Sequence, residues 1–256
     1  MPRPLLFDHM PKCGGASFTE YLRRFYPADR TLELDGTNNA ATVAAFAQRP
    51  EHDRMSIELV IGHAARDAMP HTRGDSVRVT CFREPAERLV SLYHYTRRQP
   101  MHPRHKAVND AAMDFDAFLT SGVTPETRNY YCYQLSRIPR DEIDSAPEAA
   151  VDAALGFLAR EFDVVGFLDR FESFAGAVRR TAHLYRRGER LRDALGLLGP
   201  VRIGETNAAP ERSSANGLPP RTLDTIASLN AADLILYGRL RGLIGRRLDG
   251  GRCRVV

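Results

Sequence analysis

The chain has almost no lysine. Of its 36 basic residues only Lys12 and Lys106 are lysines, and every other one is arginine. Long apolar runs are also missing: nothing approaches the roughly eighteen residues of a membrane-spanning helix, so no span is expected. Asp8, His9 and Lys12 interrupt the N-terminus early, and no secretory leader is read there. The four cysteines, Cys13, Cys81, Cys132 and Cys253, make no CxxC pair. That argues against a disulfide framework or a zinc site and for reduced thiols. There is no HxxxH and no carboxylate cluster at ligand spacing, so no metal is expected. A net charge of +4 suits an anionic ligand but is far from the dense basic stripe of a nucleic-acid binder. With no internal repeat and no low-complexity tail, residues 1–256 are expected to form a single domain.

What is present is an alternation of short apolar stretches and helical periods. Leu5 to Phe7, Glu58 to Ile61, Val77 to Phe82 and Asp163 to Leu168 read as buried strands, being brief and rich in β-branched or aromatic residues. Helices are expected at Ser17 to Phe25, Ala86 to Arg97, Pro147 to Arg160, Phe171 to Arg187 and Arg221 to Leu243. Pro85 opens the second of these, where its missing N–H has no partner to lose. Strands alternating with helices imply parallel pairing, hence an α/β fold of three layers, α/β/α, around a parallel sheet. Gln99 to Asp110 has no period and is read as a loop. Gly204 to Pro220, dense in Asn, Pro, Ser and Gly, is read as irregular.

The segment PKCGGAS, Pro11 to Ser17, follows the first strand and precedes the first helix. In a parallel sheet, ligands settle beyond the carboxyl ends of strands, where helix N-termini offer free N–H groups and partial positive charge. Gly14 and Gly15 allow close backbone approach to an anion, and Lys12 adds a full charge. This is a phosphate cradle in physical terms, but not a Walker A loop, because GxxxxGK[ST] is absent and the lysine precedes the glycines. A plainer account stays open. Ser17 and Glu20 have capping-box spacing, and Ser17 then merely caps the helix.

A second segment, VRVTCFREPAERLVSLYHYTRR, runs from Val77 to Arg98. Arg83 stands at the strand end, and Ser91 lies on the following helix. A planar guanidinium fork and a hydroxyl suit a phosphate; equally, Arg83 could pair with Glu84 or Glu87, and Ser91 could be a small buried residue. His63, after Ile61-Gly62, is a candidate base, since imidazole titrates near neutrality. His9 is read as structural and His94 as packing on its helix.

Together these segments resemble the sulfotransferases that use 3′-phosphoadenosine 5′-phosphosulfate (PAPS). The closest branch is that of the heparan sulfate 2-O-sulfotransferases and other carbohydrate sulfotransferases. The resemblance rests on Pro11 to Ser17, on Arg83-Glu84-Pro85 through Arg88 to Ser91, on Gly62-His63, and on Phe162 to Phe171 and Leu229 to Tyr237. It implies a P-loop-like sulfotransferase fold. It also implies a 5′-phosphosulfate held by Pro11, Lys12, Cys13, Gly14, Gly15, Ala16 and Ser17, with the 3′-phosphate held by Arg83 and Ser91. Lys12 would stabilise the leaving phosphate and His63 would act as general base. Arg202, Thr206 and Asn207 are candidate nucleotide contacts from a late loop. Asn129 and Tyr133 are candidate substrate contacts, although the family carries an arginine near Tyr133. Cys13 and Ala16 stand where the family has hydroxyl residues. The acceptor implied is a carbohydrate or glycolipid, its pocket shaped by Gln99 to Asp110 and Thr120 to Tyr133. With no anchor ahead of the loop, a bacterial, cytoplasmic protein is expected. Two other readings remain: a P-loop-like nucleotide kinase, and a non-catalytic relative that only binds anionic sugar.

Overall fold

The computed structural model describes residues 2–34, 38–186, 189–194, 199–204, 214–248 and 251–256. The strands are β1 (Leu5–Asp8), β2 (Thr31–Leu34), β3 (Leu59–Gly62), β4 (Val77–Phe82), β5 (Val164–Phe167) and β6 (Arg254–Val255). The helices begin with α1 (Gly15–Leu22), α2 (Asn39–Ala47), α3 (Glu51–Ser56), α4 (Pro85–Arg98), α5 (His105–Asp110) and α6 (Phe115–Thr120). They continue with α7 (Tyr130–Ser136), α8 (Arg140–Ser145), α9 (Pro147–Glu161), α10 (Phe171–Thr181), α11 (Glu189–Ala194), α12 (Pro220–Leu229) and α13 (Ala231–Gly242). Among the described residues, no helix is long and apolar enough to cross a membrane.

The chain divides into two compact units. The first takes in Met1–Phe82, Ala159–Asn207 and Gly245–Val256, and it contains the whole sheet. The second takes in Arg83–Leu158 and Ala208–Ile244.

All six strands of the sheet are parallel, in the order β2-β3-β1-β4-β5-β6. The fold is α/β, with helices flanking one central sheet. β1, β3 and β5 are buried at every residue, which is why each reads as a continuous apolar run instead of an alternation. On one face Leu5, Phe7, Leu59, Ile61, Val77, Val79, Cys81 and Val164 pack against Phe18, Tyr21 and Leu22 of α1 and Phe174, Ala175, Ala177 and Val178 of α10. Burying a side chain such as Phe18, which is fully enclosed, contributes about 1.5–3 kcal/mol. A 3₁₀ segment, Ala65–His71, packs against β1 and β3, with α2 beside it.

The second unit is helical. Ala86 and Leu89 of α4 meet Leu119 of α6 and Ile226 of α12 in one apolar cluster. Leu92 and Tyr93 join Val108 of α5 and Phe118 of α6 in another.

Several expectations need correction. β2 and β6 were not expected from the sequence. β2 is the sheet's edge strand, half-exposed and carrying Glu33 outward to Arg23, and β6 is two residues long. The interval Gln99 to Asp110 is not all loop, because His105–Asp110 forms α5, pinned by the Asn109 amide to the His105 and Arg97 carbonyls. The helix expected from Phe171 stops at Thr181. His183 takes a left-handed φ of 56° there, and the Leu184 N–H closes back on the Arg179 carbonyl. The helix expected from Arg221 to Leu243 breaks at Asn230 into α12 and α13. The Asn230 amide is diverted to the carbonyls of Thr127 and Ile226. The first helix starts at Gly15 with Gly14 as its N-cap, so Ser17 lies inside the helix and does not cap it. Glu20 pairs with Arg23 instead of closing a box.

Candidate functional site

In the first unit, β1 lies between β3 and β4. The chain leaves β1 toward β2 on one side and leaves β4 toward β5 on the other. The carboxyl ends of β1 and β4 therefore form the switch point at which open parallel sheets take ligands. The segment Pro11 to Ser17 occupies this place.

From Asp8 the chain turns sharply. The His9 N–H donates to the Gly62 carbonyl at 3.1 Å, and the Cys13 N–H closes a turn on the Met10 carbonyl at 3.2 Å. Lys12 holds a left-handed φ of 65° in this turn, a conformation that costs a lysine on the order of 1 kcal/mol or more. Lys12 and Ser17 are half-buried, and Ala16 is exposed at the helix start. Cys13 faces the other way. It is buried, and its Sγ lies 3.5 Å from the Pro11 carbonyl oxygen, so the thiol braces the loop from inside. Burial pushes the nearby Cys81 thiol well up, with smaller contributions from Cys13 and Asp169.

His63 follows β3 at the same end of the sheet. Gly62 makes this possible: its φ is 133°, and a Cβ there would stand 2.4 Å from the Leu34 carbonyl carbon on β2. The His63 Nδ1 is 2.6 Å from the His9 carbonyl oxygen, and the two imidazole rings are 4.3 Å apart. Beside them Arg66 reaches Asp8 at 3.6 Å, both side chains being buried. His9, read from sequence as structural, thus touches the candidate base directly. No local pattern marks it, because the contact is made between β1 and β3.

Arg83 and Ser91 belong to the second unit. Arg83 bonds Glu87 at 3.0 Å, one of the two partners its neighbourhood allowed. Its N–H donates to the Tyr131 hydroxyl, which in turn donates to the Arg83 carbonyl at 2.8 Å. Burial pushes the Glu87 carboxyl up, but hydrogen bonds from Ser214, the Ala215 N–H and Arg83 outweigh it and hold the group below its ordinary value. Ser91 is half-buried on α4. His94 packs edge-on against Tyr93, at 5.1 Å.

Asn129, expected as a substrate contact, is instead committed inside the second unit. Its side chain is buried, with Oδ1 accepting from the Ala232 and Asp233 N–H groups and Nδ2 donating to Asp144. Reciprocally, Asp233 accepts from the N–H groups of Tyr131 and Cys132 at 2.9 and 2.8 Å. Asn129 thus caps α13 while Asp233 caps α7, which satisfies orphan donors at both helix starts. Burial pushes the Asp233 carboxyl up against the lowering pull of those two N–H groups and of Arg88. Arg88 itself is fully buried, lies over the rings of Tyr130 and Tyr131, and donates to the Glu126 carbonyl. Tyr133 is half-exposed, its ring covered by the Arg140 guanidinium at 3.7 Å.

An open depression in the same unit is lined by Thr120, Arg221, Asp224, Thr225, Ser228 and Leu229. Arg202 is exposed in the first unit. Thr206 and Asn207 lie outside the described residues. Among the described residues, no group of three or more His, Cys, Asp or Glu side chains converges as a metal site.

No protein-family model matches this chain, and no curated protein matches it.

Proposed function

We propose that the protein is a PAPS-dependent sulfotransferase with a P-loop-like three-layer fold, acting on a hydroxyl of a carbohydrate or carbohydrate-bearing acceptor. The observation that carries this reading is local to the first unit. Lys12 sits in a left-handed turn between the central strand β1 and the N-terminus of α1, and His63 directly follows the neighbouring strand β3.

The chemistry follows from those two groups. The acceptor oxygen attacks sulfur, its O–S bond forms, and the bond from sulfur to the bridging phosphate oxygen breaks. The bonding pair stays on that oxygen, where the compact Lys12 ammonium can neutralise it. The acceptor proton passes to His63. Nδ1 of His63 faces a carbonyl oxygen, which can only accept, so Nδ1 carries a proton and Nε2 is the nitrogen left to act as base. The first turn of α1 supplies N–H groups for the 5′-phosphate whether or not residues 13 and 16 carry hydroxyls. The resemblance assigns the 3′-phosphate to Arg83 and Ser91.

The test is transfer of labelled sulfate from PAPS to a panel of saccharide and lipid-linked acceptors, with calorimetry on 3′-phosphoadenosine 5′-phosphate. Lys12→Ala and His63→Ala should each lower kcat by about a hundredfold or more while the circular dichroism spectrum is kept. Turnover retained in both variants refutes the assigned roles. Preference for ATP with magnesium over the 3′-phosphorylated nucleotide would favour a kinase. Absence of nucleotide binding would leave a sugar-binding relative.

A further inference from the structure

Four rings form a column that runs out of the core of the first unit to the candidate base. Phe18 of α1 meets Phe7 edge-on at 5.0 Å. Phe7 stacks on His9 at 5.6 Å with planes 14° apart, since residues two apart on a strand share a face. His9 then meets His63 at 4.3 Å. Phe7 and Phe18 are fully buried, so the column is anchored at its inner end. Its flank is closed as well, because a Cβ on Gly15 would fall 1.7 Å from His9 Nε2. The His9 imidazole therefore fills the space where any other residue at position 15 would place its side chain. The His9 backbone is tied to the same segment: its N–H donates to the Gly62 carbonyl, and its carbonyl accepts from the His63 Nδ1–H.

We propose that His9 is the positioning residue for His63, an inference that rests on the sulfotransferase reading for its catalytic meaning. Its carbonyl selects the Nδ1–H form of His63. Its ring, wedged between Gly15 and His63, stops the His63 ring from turning away from that carbonyl. One residue thus couples the backbone of the anion-binding turn to the orientation of the base. Glycine is required at position 15 because the wedge occupies its side-chain space.

The experiment is long-range ¹⁵N–¹H correlation on the full chain with labelled histidine, together with the sulfate-transfer assay. In the neutral imidazole of the wild type, His63 should show a protonated Nδ1 and an unprotonated Nε2. His9→Ala opens a gap beside His63 and should convert that signal to a mixture of both forms. It should also lower kcat by about tenfold to a hundredfold with the nucleotide KM nearly unchanged, the cost expected for a base misplaced by about 1 Å. His9→Phe keeps a flat ring in the wedge and should restore both the Nδ1–H signal and most of kcat. Gly15→Ala should disturb the His63 signal as His9→Ala does, without touching His63 itself.

An unchanged His63 signal in His9→Ala overturns the proposal, and so does a His9→Phe variant as impaired as His9→Ala. The spectrum needs no substrate. A wild type that neither binds the nucleotide nor transfers sulfate refutes the sulfotransferase reading, while the imidazole signals still decide the role of His9.

Discussion

Replacing Asn129 by alanine separates two roles for this residue, support of the second unit and contact with substrate. In the structure its amide oxygen accepts from two buried N–H groups, of Ala232 at 3.1 Å and Asp233 at 3.3 Å, and its amide nitrogen donates to Asp144 at 2.8 Å. Its backbone holds a left-handed φ of 42°, which asparagine tolerates better than alanine does. Losing a helix cap costs about 1 kcal/mol, and leaving a second buried N–H unmet costs about 1–3 kcal/mol more, so Asn129→Ala should lose about 2–4 kcal/mol. For a chain of this size each kcal/mol moves Tm by about 2–4 °C, which gives a fall of roughly 5–15 °C by thermal denaturation. Asn129→Gly removes the same caps but relieves the backbone, and it should recover about 1 kcal/mol of that loss. A variant that keeps its stability within about 0.5 kcal/mol, the scale of an ordinary surface change, would refute the capping account. If that variant also showed a raised acceptor KM, the side chain would be a substrate contact after all.

Gly62→Ala should cost about 3 kcal/mol or more in urea denaturation, because its Cβ meets the Leu34 backbone at a φ barred to side chains, and sulfate transfer should fall with it. Glu87 has a folded-state affinity for protons below its unfolded value, so its contribution is present above the ordinary carboxylate value of 4.5 and is lost as pH falls below it. Acid denaturation of Glu87→Gln should accordingly be shallower than that of the wild type, and equal slopes would refute the assignment. The four cysteines are all buried and none is in a disulfide, with burial raising Cys253 to about 12, so a thiol reagent should react slowly with the native protein and with all four after denaturation. Rapid labelling of one thiol in the native state would show that its enclosure is wrong.

The four stretches expected as strands all lie in the sheet: β1, β3 and β5 are buried at every residue and β4 at every residue but Arg78, and such burial leaves a dense local apolar run. β2 had no such run, since an edge strand can keep Glu33 in solvent, and two-residue β6 is too short to leave a pattern, being held by its pairing with β5 and by backbone bonds to Gly245 and Arg246. The break at Asn230 was equally hidden, because helical periodicity runs through it and the asparagine leaves the helix for Thr127, 103 residues away. The strand–turn–helix at Pro11 to Ser17 could be read locally because the glycines and the strand–helix change all fall within a few residues. The tertiary structure decided what each side chain in these segments faces. Cys13 turns to the Pro11 carbonyl, Asn129 turns into two helix starts, and His9 is pressed between Gly15 and His63. Sequence by itself determined which residues carry charge, backbone freedom and apolar surface, since these are properties of single residues and their near neighbours. Only the folded chain decided their partners, because β1, β3 and α1 come together through parallel pairing across more than fifty residues of intervening chain.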